Sequence, residues 1–430
     1  MTYRAGQLVE VTAVDVAHGG WCVARPDGEP VTFVRHALPG ERVRARITEV
    51  TSRLARAEAV EILAASPHRV APPCPHARPA GCGGCDWQHA SLPAQRALKA
   101  AVVSQQLARL AGVGRDVTVE PLPGPGADGL GWRTRVQFAV GEDGVAGLRA
   151  HRSHRVIDVG ECPIAHPAIA ALGVTGRRWP GLASVTVQVA ADPGDSMVIL
   201  AGAGGGTAGR SASPDQVAAG SVLRRAGRRL APLRGRSWLT QRAAGRDWRV
   251  GAGVFWQVHP AAADALARAV VAALEPRPGD AALDLYCGAG LFAGVLARAV
   301  GPGGAVAGVE ADAAAVRDAR HNLREWPWAR VRRGDVARVL RRAALPPARL
   351  VVADPPRSGL AREVIGYLAA PEHGAERFCY VSCDPATLAR DIGLLLARGW
   401  TLEALRAFDA FPMTHHVECV AILSAPRTRE

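Results

Sequence analysis

The sequence predicts an α/β chain in three parts: a small β-barrel over residues 1–62, a central α+β region over 63–252 and a doubly wound, mostly parallel sheet over 253–430. Three observations predict it. Short apolar and polar runs alternate through the first 62 residues, broken at regular intervals by the turn signals HGG, PDGEP and LPGE. Pro, Gly and Cys then crowd residues 66–92. From about residue 253 apolar strands alternate with amphipathic helices, as in βαβ units.

A chain of 430 residues, 48% hydrophobic, can fill two or three cores. It has no charge-free run of 18 apolar residues, so no membrane span is expected. MTYRAGQLVE lacks the apolar core of a leader, which makes the cytoplasm the expected compartment, and a monomer the expected state. The net charge is +13, and Lys99 is the one lysine among 52 basic residues. GC-rich coding produces such a skew, but a basic excess still favours a polyanionic partner such as nucleic acid. Nine cysteines, an odd number, argue against a disulfide framework.

Taken in order, the first strands carry Arg25, Arg35, Arg42, Arg44 and Arg46. A small basic barrel is a common nucleic-acid module of the OB type. Cys74, Cys82, Cys85 and Cys162 look like a set. Four thiolates suit an iron–sulfur cluster or structural zinc, and their spacing does not choose between them. LPAQRALKAAVVSQQLARL predicts a helix over 92–112, with Pro93 in its first turn, that can pack on the C-terminal domain. WRTRVQF (132–138) sets arginines beside aromatics, which suits phosphates and bases. AGAGGGTAGRSASPDQ (201–216) reads as a flexible loop.

DLYCGAG (284–290) runs from a strand through a glycine loop into a helix. Gly288 and Gly290 let the backbone approach a ligand closely. No basic residue is there for a pyrophosphate, so the loop suits the adenosine and amino-acid parts of S-adenosylmethionine. Glu310, ending AVAGVE, is placed to accept from ribose hydroxyls, and Asp335, in the next strand's GD, to lie by adenine. All fall at carboxyl ends of strands, where open α/β sheets bind ligands. The reading is a Rossmann-like methyltransferase domain.

DPPR (354–357) projects Asp354 and Arg357 from a loop fixed by two prolines. Amino-group methyltransferases place an aromatic where Arg357 stands, which argues against methylation of an exocyclic nitrogen. SCDP (382–385) puts Cys383 at a strand end on the same side of the sheet. Uracil C5 is a poor nucleophile, but a thiolate added at C6 gives C5 carbanion character. The surroundings are therefore expected to lower the Cys383 pKa. The C5 proton must then leave, and Glu418 in DAFPMTHHVE (409–418) is placed as that general base, with His416 to orient base or substrate.

Together these motifs resemble the RNA uracil-5-methyltransferase family, which covers tRNA and 23S rRNA enzymes. The resemblance runs over nearly the whole chain, on VFWQVHP (254–260), DLYCGAG, GVEA, RRGD, DPPRSG, VSCDP and DAFPMTHHVE in the family's order. It implies Cys383 as nucleophile and Glu418 as base. Gln257, Tyr286, Glu310 and Asp354 match its cofactor positions, with Asp335 in the adenine region. It implies a TRAM domain, an RNA-binding barrel, over 1–62, and a [4Fe–4S] cluster on Cys74, Cys82, Cys85 and Cys162. Barrel and cluster together favour 23S rRNA, with tRNA as the alternative. The chain departs from the family at the seven-residue gap between Cys74 and Cys82, at His259 in place of Asn, and at Ala289 and Leu291 in the glycine loop.

Two rivals come from other classes. A radical methylthiotransferase would need a compact CxxxCxxC motif, which the sequence lacks. A non-catalytic RNA-binding or ribosome-assembly protein would have no use for SCDP and a C-terminal Glu.

Overall fold

A computed structural model describes residues 3–124, 128–203, 214–227, 229–342 and 345–426. Strands β1 (Leu8–Ala17), β2 (Trp21–Ala24), β3 (Val31–Arg35), β4 (Arg42–Val50) and β5 (Leu54–Ala64) close into a barrel in the order β1-β2-β3-β5-β4. Period-two alternation turns Val11, Ala13, Val43, Ala45, Ile47, Ala55 and Ala57 inward. Arg42 and Arg46 face solvent. Arg35 does not: it is 2% exposed and donates to Asp86 at 3.2 Å.

Pro93 opens α1 (Leu92–Gln106), which continues through a π-helical turn, Leu107–Ala111, and stops at Gly112 in the left-handed region. Val103 and Leu107 pack with Leu388, Ile392 and Leu395 of the C-terminal domain. Strand β6 (Val119–Pro121) follows.

The central sheet comprises β7 (Arg135–Val140), β8 (Ala146–Arg149), β9 (Val156–Ile157), β10 (Leu182–Val189), β11 (Ser196–Gly202), β12 (Ser221–Ala226) and β13 (Arg229–Arg234). Its order is β13-β12-β11-β10-β7-β8-β9, with the short helix α2 (Pro167–Ala170) between β9 and β10. Of the loop expected over 201–216, residues 204–213 lie outside the described residues. A hairpin of β14 (Trp238–Ala243) and β15 (Arg246–Gly251) leads to the C-terminal domain.

There α3 (Ala262–Leu274) precedes β16 (Ala281–Leu285), α4 (Leu291–Val300), β17 (Ala305–Glu310), α5 (Ala313–Asn322), β18 (Ala329–Arg333) and α6 (Val336–Arg342). Then come β19 (Leu350–Ala353), α7 (Arg362–Ala369), β20 (Arg377–Ser382), α8 (Pro385–Leu396), β21 (Thr401–Asp409) and β22 (Glu418–Ser424). The sheet order is β18-β17-β16-β19-β20-β22-β21-β6. Strands β16 to β20 are parallel, while β22 enters antiparallel between β20 and β21. Strand β6, from the middle of the chain, completes the edge. Strand order reverses between β16 and β19, which opens a crevice at their carboxyl ends. Apolar residues cover both faces, as a buried parallel sheet requires. Among the described residues no helix is long and apolar enough to cross a membrane.

Candidate active site

The glycine loop turns between β16 and α4. Tyr286 takes φ +68, unusual for a side chain of that size. It is held because the Tyr286 and Cys287 amides both donate to the Val309 carbonyl, at 3.0 and 3.1 Å. A Cβ on Gly290 would lie 3.3 Å from Ala319 Cα, so glycine there permits close packing on α5. A Cβ on Gly288 would meet nothing within 4 Å, so the loop is uncovered at that point. Glu310 is tied to the loop, accepting from the amides of Gly288 (3.0 Å) and Asp312 (2.7 Å). Asp335 is exposed and caps α6 by accepting from the Arg338 amide at 2.9 Å.

Asp284 escaped the sequence reading, although it opens the DLYCGAG motif. It is fully buried, and Oδ2 accepts from the Ala293 amide at 2.7 Å, while Oδ1 has no partner. Burial, then the charges of Asp354 and Glu310, push it up to about 8. Burial also pushes Asp354 up to about 7. Three carboxyls thus meet at the ends of β16, β17 and β19. They make a site of negative potential suited to a cationic sulfonium and ammonium. Gln257 is set apart, lining a cavity of ≈ 330 Å³ with Thr134, Asp192, Trp256 and Asp264. No residue of the glycine loop lines that cavity.

Cys383 lies between β20 and α8, where Asp384 caps the helix by accepting from the amides of Ala386 and Thr387. Ser382 pairs with Cys419 across β20 and β22, so the same register sets Cys383 opposite Glu418. Glu418 is 3% exposed. Burial, then the charge of Asp354, raise its pKa well above the usual carboxyl range, while Arg357 opposes the rise. The Cys383 pKa was expected to be lowered, and the structure reverses this. Burial first, then the Glu418 and Asp354 charges, push the thiol up to about 12, against Arg357. The helix end and one guanidinium do not outweigh a half-buried position among acids.

Arg357, read from sequence only as an argument against amino-group chemistry, is thus the cation acting on both groups. Its Nη2 lies 3.2 Å from Nε2 of His416. Burial, with the charges of His415 and Arg357, holds His416 down at about 3, so the neutral ring accepts from the guanidinium. Behind the DPPR loop, Asp391 accepts from the Leu360 amide and the Tyr380 hydroxyl, both at 2.8 Å, and fixes the platform.

Some 80 residues of linking structure gather the other sulfurs. Cys74, Cys82, Cys85 and Cys162 line one cavity with Arg133, Leu148 and Ile164. The Gly84 amide donates to the Cys82 sulfur at 3.4 Å, and the nearby amides of Ile164 and Ala165 favour the thiolate form of Cys162 against its burial. Glycine is needed within CGGC because a Cβ on Gly83 would come 2.7 Å from His151 Cα. A donor set of thiols with backbone amides aimed at them fits an anionic metal–thiolate group. Among the described residues, no group of three or more His, Cys, Asp or Glu is set to hold a single metal ion.

The departures in the motifs have local accounts. His259 Nδ1 accepts from the Ala261 amide at 3.2 Å ahead of α3, a task an Asn side chain can also perform. Its ring stacks on Trp132. Ala289 and Leu291 are 4% and 8% exposed and belong to the core rather than to the ligand face of the loop. Phe255, two residues before Gln257, is 62% exposed, an aromatic face open to a base. Only its place in VFWQVHP could have singled it out.

Strand order, glycine loop and clustered strand-end carboxyls define a methyltransferase of the S-adenosylmethionine-dependent fold. Comparison with known proteins narrows the class. The family described as tRNA (Uracil-5-)-methyltransferase matches residues 347–426, and the TRAM domain matches residues 4–60. Protein-L-isoaspartate(D-aspartate) O-methyltransferase matches residues 258–336, around the glycine loop. An RNA methyltransferase of Streptomyces avermitilis is 50% identical over 97% of this chain and 98% of its own. The 23S rRNA (uracil(1939)-C(5))-methyltransferase of Acidithiobacillus ferrooxidans is 34% identical over 93% of each chain. The Pyrococcus abyssi tRNA (uracil-54, C5)-methyltransferase, solved with S-adenosyl-L-homocysteine, shares the fold with a TM-score of 0.72. It is 23% identical, over 96% of this chain and 100% of its own. The chain belongs to the RNA (uracil-5-)-methyltransferase family, with a TRAM domain at its N-terminus.

Proposed function

We propose that this protein methylates C5 of a uridine in 23S rRNA through a covalent bond between Cys383 Sγ and C6 of the base. The observation that carries the reading is the end of the β20–β22 ladder: beyond its last pair, Ser382 with Cys419, come the thiol of Cys383 and the buried carboxyl of Glu418, each acted on by the charge of Arg357. Bound S-adenosylmethionine would supply an electrophilic methyl group. Tyr286, Gly288, Gly290, Glu310, Asp335 and Asp354 would hold it, with Gln257 from the neighbouring cavity and Asp284 added by the structure.

The thiolate of Cys383 adds to C6, the C5–C6 π electrons move toward C5 and O4, and Arg357 is the cation near the new negative charge. After C5 has gained its methyl group, Glu418 takes the C5 proton. The C–H electrons re-form the double bond, the C6–S bond breaks and Cys383 leaves as thiolate. The target base must be out of its stack for this, and Phe255 offers a face to receive it.

The barrel (1–62) and central region (63–252) would bind RNA and the C-terminal region (253–430) would carry the chemistry. Cys74, Cys82, Cys85 and Cys162 would hold a [4Fe–4S] cluster that shapes the central region. The family resemblance supports this over zinc, since amides directed at sulfur suit either group. The full-length relative named for 23S rRNA favours that substrate over tRNA. A monomer in the cytoplasm remains the proposed setting.

Cys383→Ala is expected to abolish 5-methyluridine in 23S rRNA while RNA binding persists, and Glu418→Gln to trap a methylated RNA–protein adduct. Mass spectrometry of 23S rRNA and denaturing gels read both. Formation of 5-methyluridine by Cys383→Ala ends the covalent reading.

A further inference from the structure

We propose that Lys99, remote in sequence from the catalytic domain, is a positioning residue whose ammonium pins the β21–β22 turn and thereby places Glu418 opposite Cys383. The proposal rests on the reading of Glu418 as base.

Residues 410–417 form that turn, and the bonds that hold it come largely from residues 86–99. Lys99 Nζ donates to Asp409 Oδ1 at 2.5 Å and to the Phe411 carbonyl at 3.0 Å. Met413 sits at φ +69, a region that a side chain of its kind rarely adopts. Its amide donates to Gln95 Oε1 at 2.8 Å, and its carbonyl accepts from the amides of Asp86 and Trp87 at 3.1 Å each. Asp86 Oδ2 then meets His415 Nδ1 at 2.6 Å. At the next residue the turn delivers His416 to Arg357, and two residues later Glu418 to the start of β22. An unusual backbone conformation persists only where its surroundings over-determine it, and here the surroundings belong to another part of the chain.

Composition supplies an independent argument. Every other basic residue among the 52 is arginine. In a chain so biased, one lysine remains, and it is 0% exposed. Its task explains why. A compact ammonium reaches a carboxylate and a carbonyl inside a closed space, where a planar guanidinium with five donors would need more room and more acceptors. Lys99 touches no reacting atom in this account. Displacing a catalytic group by about 1 Å costs on the order of 100-fold in rate. The loss should fall on the step that uses Glu418.

Lys99→Met and Lys99→Arg test this in the full chain, with Glu418→Gln alongside. Both lysine variants are expected to bind RNA with unchanged Kd and to form the methylated adduct, with kcat and KM falling together. They should release product about 100-fold more slowly, so that adduct accumulates on denaturing gels. Lys99→Arg turning over like the wild type overturns the proposal, as does activity that falls only with the folded fraction and without adduct. Should Lys99→Met melt below the assay temperature, Gln95→Leu, which frees the Met413 amide, carries the test with the same expected adduct. Adduct in Glu418→Gln but in neither kind of clamp variant removes the role of Lys99 alone. No adduct in any variant, together with 5-methyluridine made by Cys383→Ala, removes the covalent reading itself.

Discussion

Cys85 and Cys383 sit in different halves of the molecule, and burial pushes both thiols up to about 12. Their neighbours differ in kind. Around Cys85 a hydrogen bond with Gln88 comes next and lowers the pKa, and the thiols of Cys162 and Cys82, then the charge of Asp86, raise it. Around Cys383 the next contributions come from Glu418 and Asp354, opposed by the Arg357 guanidinium, with the start of α8 alongside. A thiol among thiols gains from ionising when a metal group takes up the shared charge. A thiol between a guanidinium and an acid gains when an electrophile arrives, and the acid then restores it. The same titration value therefore belongs to two chemistries, and the neighbours tell them apart.

The sharpest way to break this contrast is to replace one sulfur from each site. Cys85→Ser is expected to lose bound iron and to lower the melting temperature by about 10 °C or more, since loss of a structural metal is among the largest single-site effects. Cys383→Ala should leave iron content and melting nearly unchanged. Metal analysis and calorimetry check both. An iron-free Cys85→Ser that melts like the wild type would place the four-cysteine cavity outside any metal site.

The two sites also differed in how far sequence alone could reach them. SCDP and the Glu418 of DAFPMTHHVE are short motifs whose chemistry and resemblance to a family allowed Cys383 and Glu418 to be named. Their mutual register could not, because β22 enters antiparallel between β20 and β21 and nothing local specifies that insertion. Strand β6 is three residues long and joins the sheet from some 160 residues upstream of β16. No window of three residues carries that information. The expected direction of the Cys383 shift followed from the need for a thiolate, while burial beside Asp354 and Glu418 is a property of the fold that no motif carries. Asp284 went unremarked because its neighbours in the motif drew the reading to the glycines. Lys99 was visible as a solitary lysine and attributed to coding bias; only its contact with Asp409 gives it a task.

The buried acids at the strand ends give a second, smaller effect that sharpens the contrast. Asp284, Asp354 and Glu418 all have pKa values raised above those of exposed carboxyls. A group raised in the fold contributes stability that is present below its unfolded value and is lost as pH rises through its folded value. The melting temperature is therefore expected to fall as pH rises from about 5 to 8, through the values near 7 and 8 of Asp354 and Asp284. Turnover should run the other way, because Glu418 accepts a proton only when ionised and Cys383 adds only as thiolate. Asp284→Asn should flatten the stability curve at its alkaline end. Turnover that declines with pH across this range would contradict the assigned base.

The smallest effect concerns the link between the halves. His18, in the turn between β1 and β2 of the barrel, lies 3.2 Å from Asp384, the residue after Cys383. Asp86 makes a second bridge, holding Arg35 of the barrel and His415 of the catalytic turn. The barrel therefore touches the chemistry site directly, as well as offering surface to RNA. His18 is 36% exposed, and an ion pair that open to solvent contributes about 0–1 kcal/mol. His18→Ala should then slow single-turnover methylation by no more than about fivefold. The difference should shrink as salt is raised, because screening weakens an exposed pair. If the four cysteines hold a metal group, Cys85→Ser should show no such salt dependence in its melting deficit, since metal–thiolate bonds are covalent in character. A His18→Ala defect as large as that of Glu418→Gln would mean that the barrel takes part in the chemistry itself, and the division between the halves would have to be redrawn.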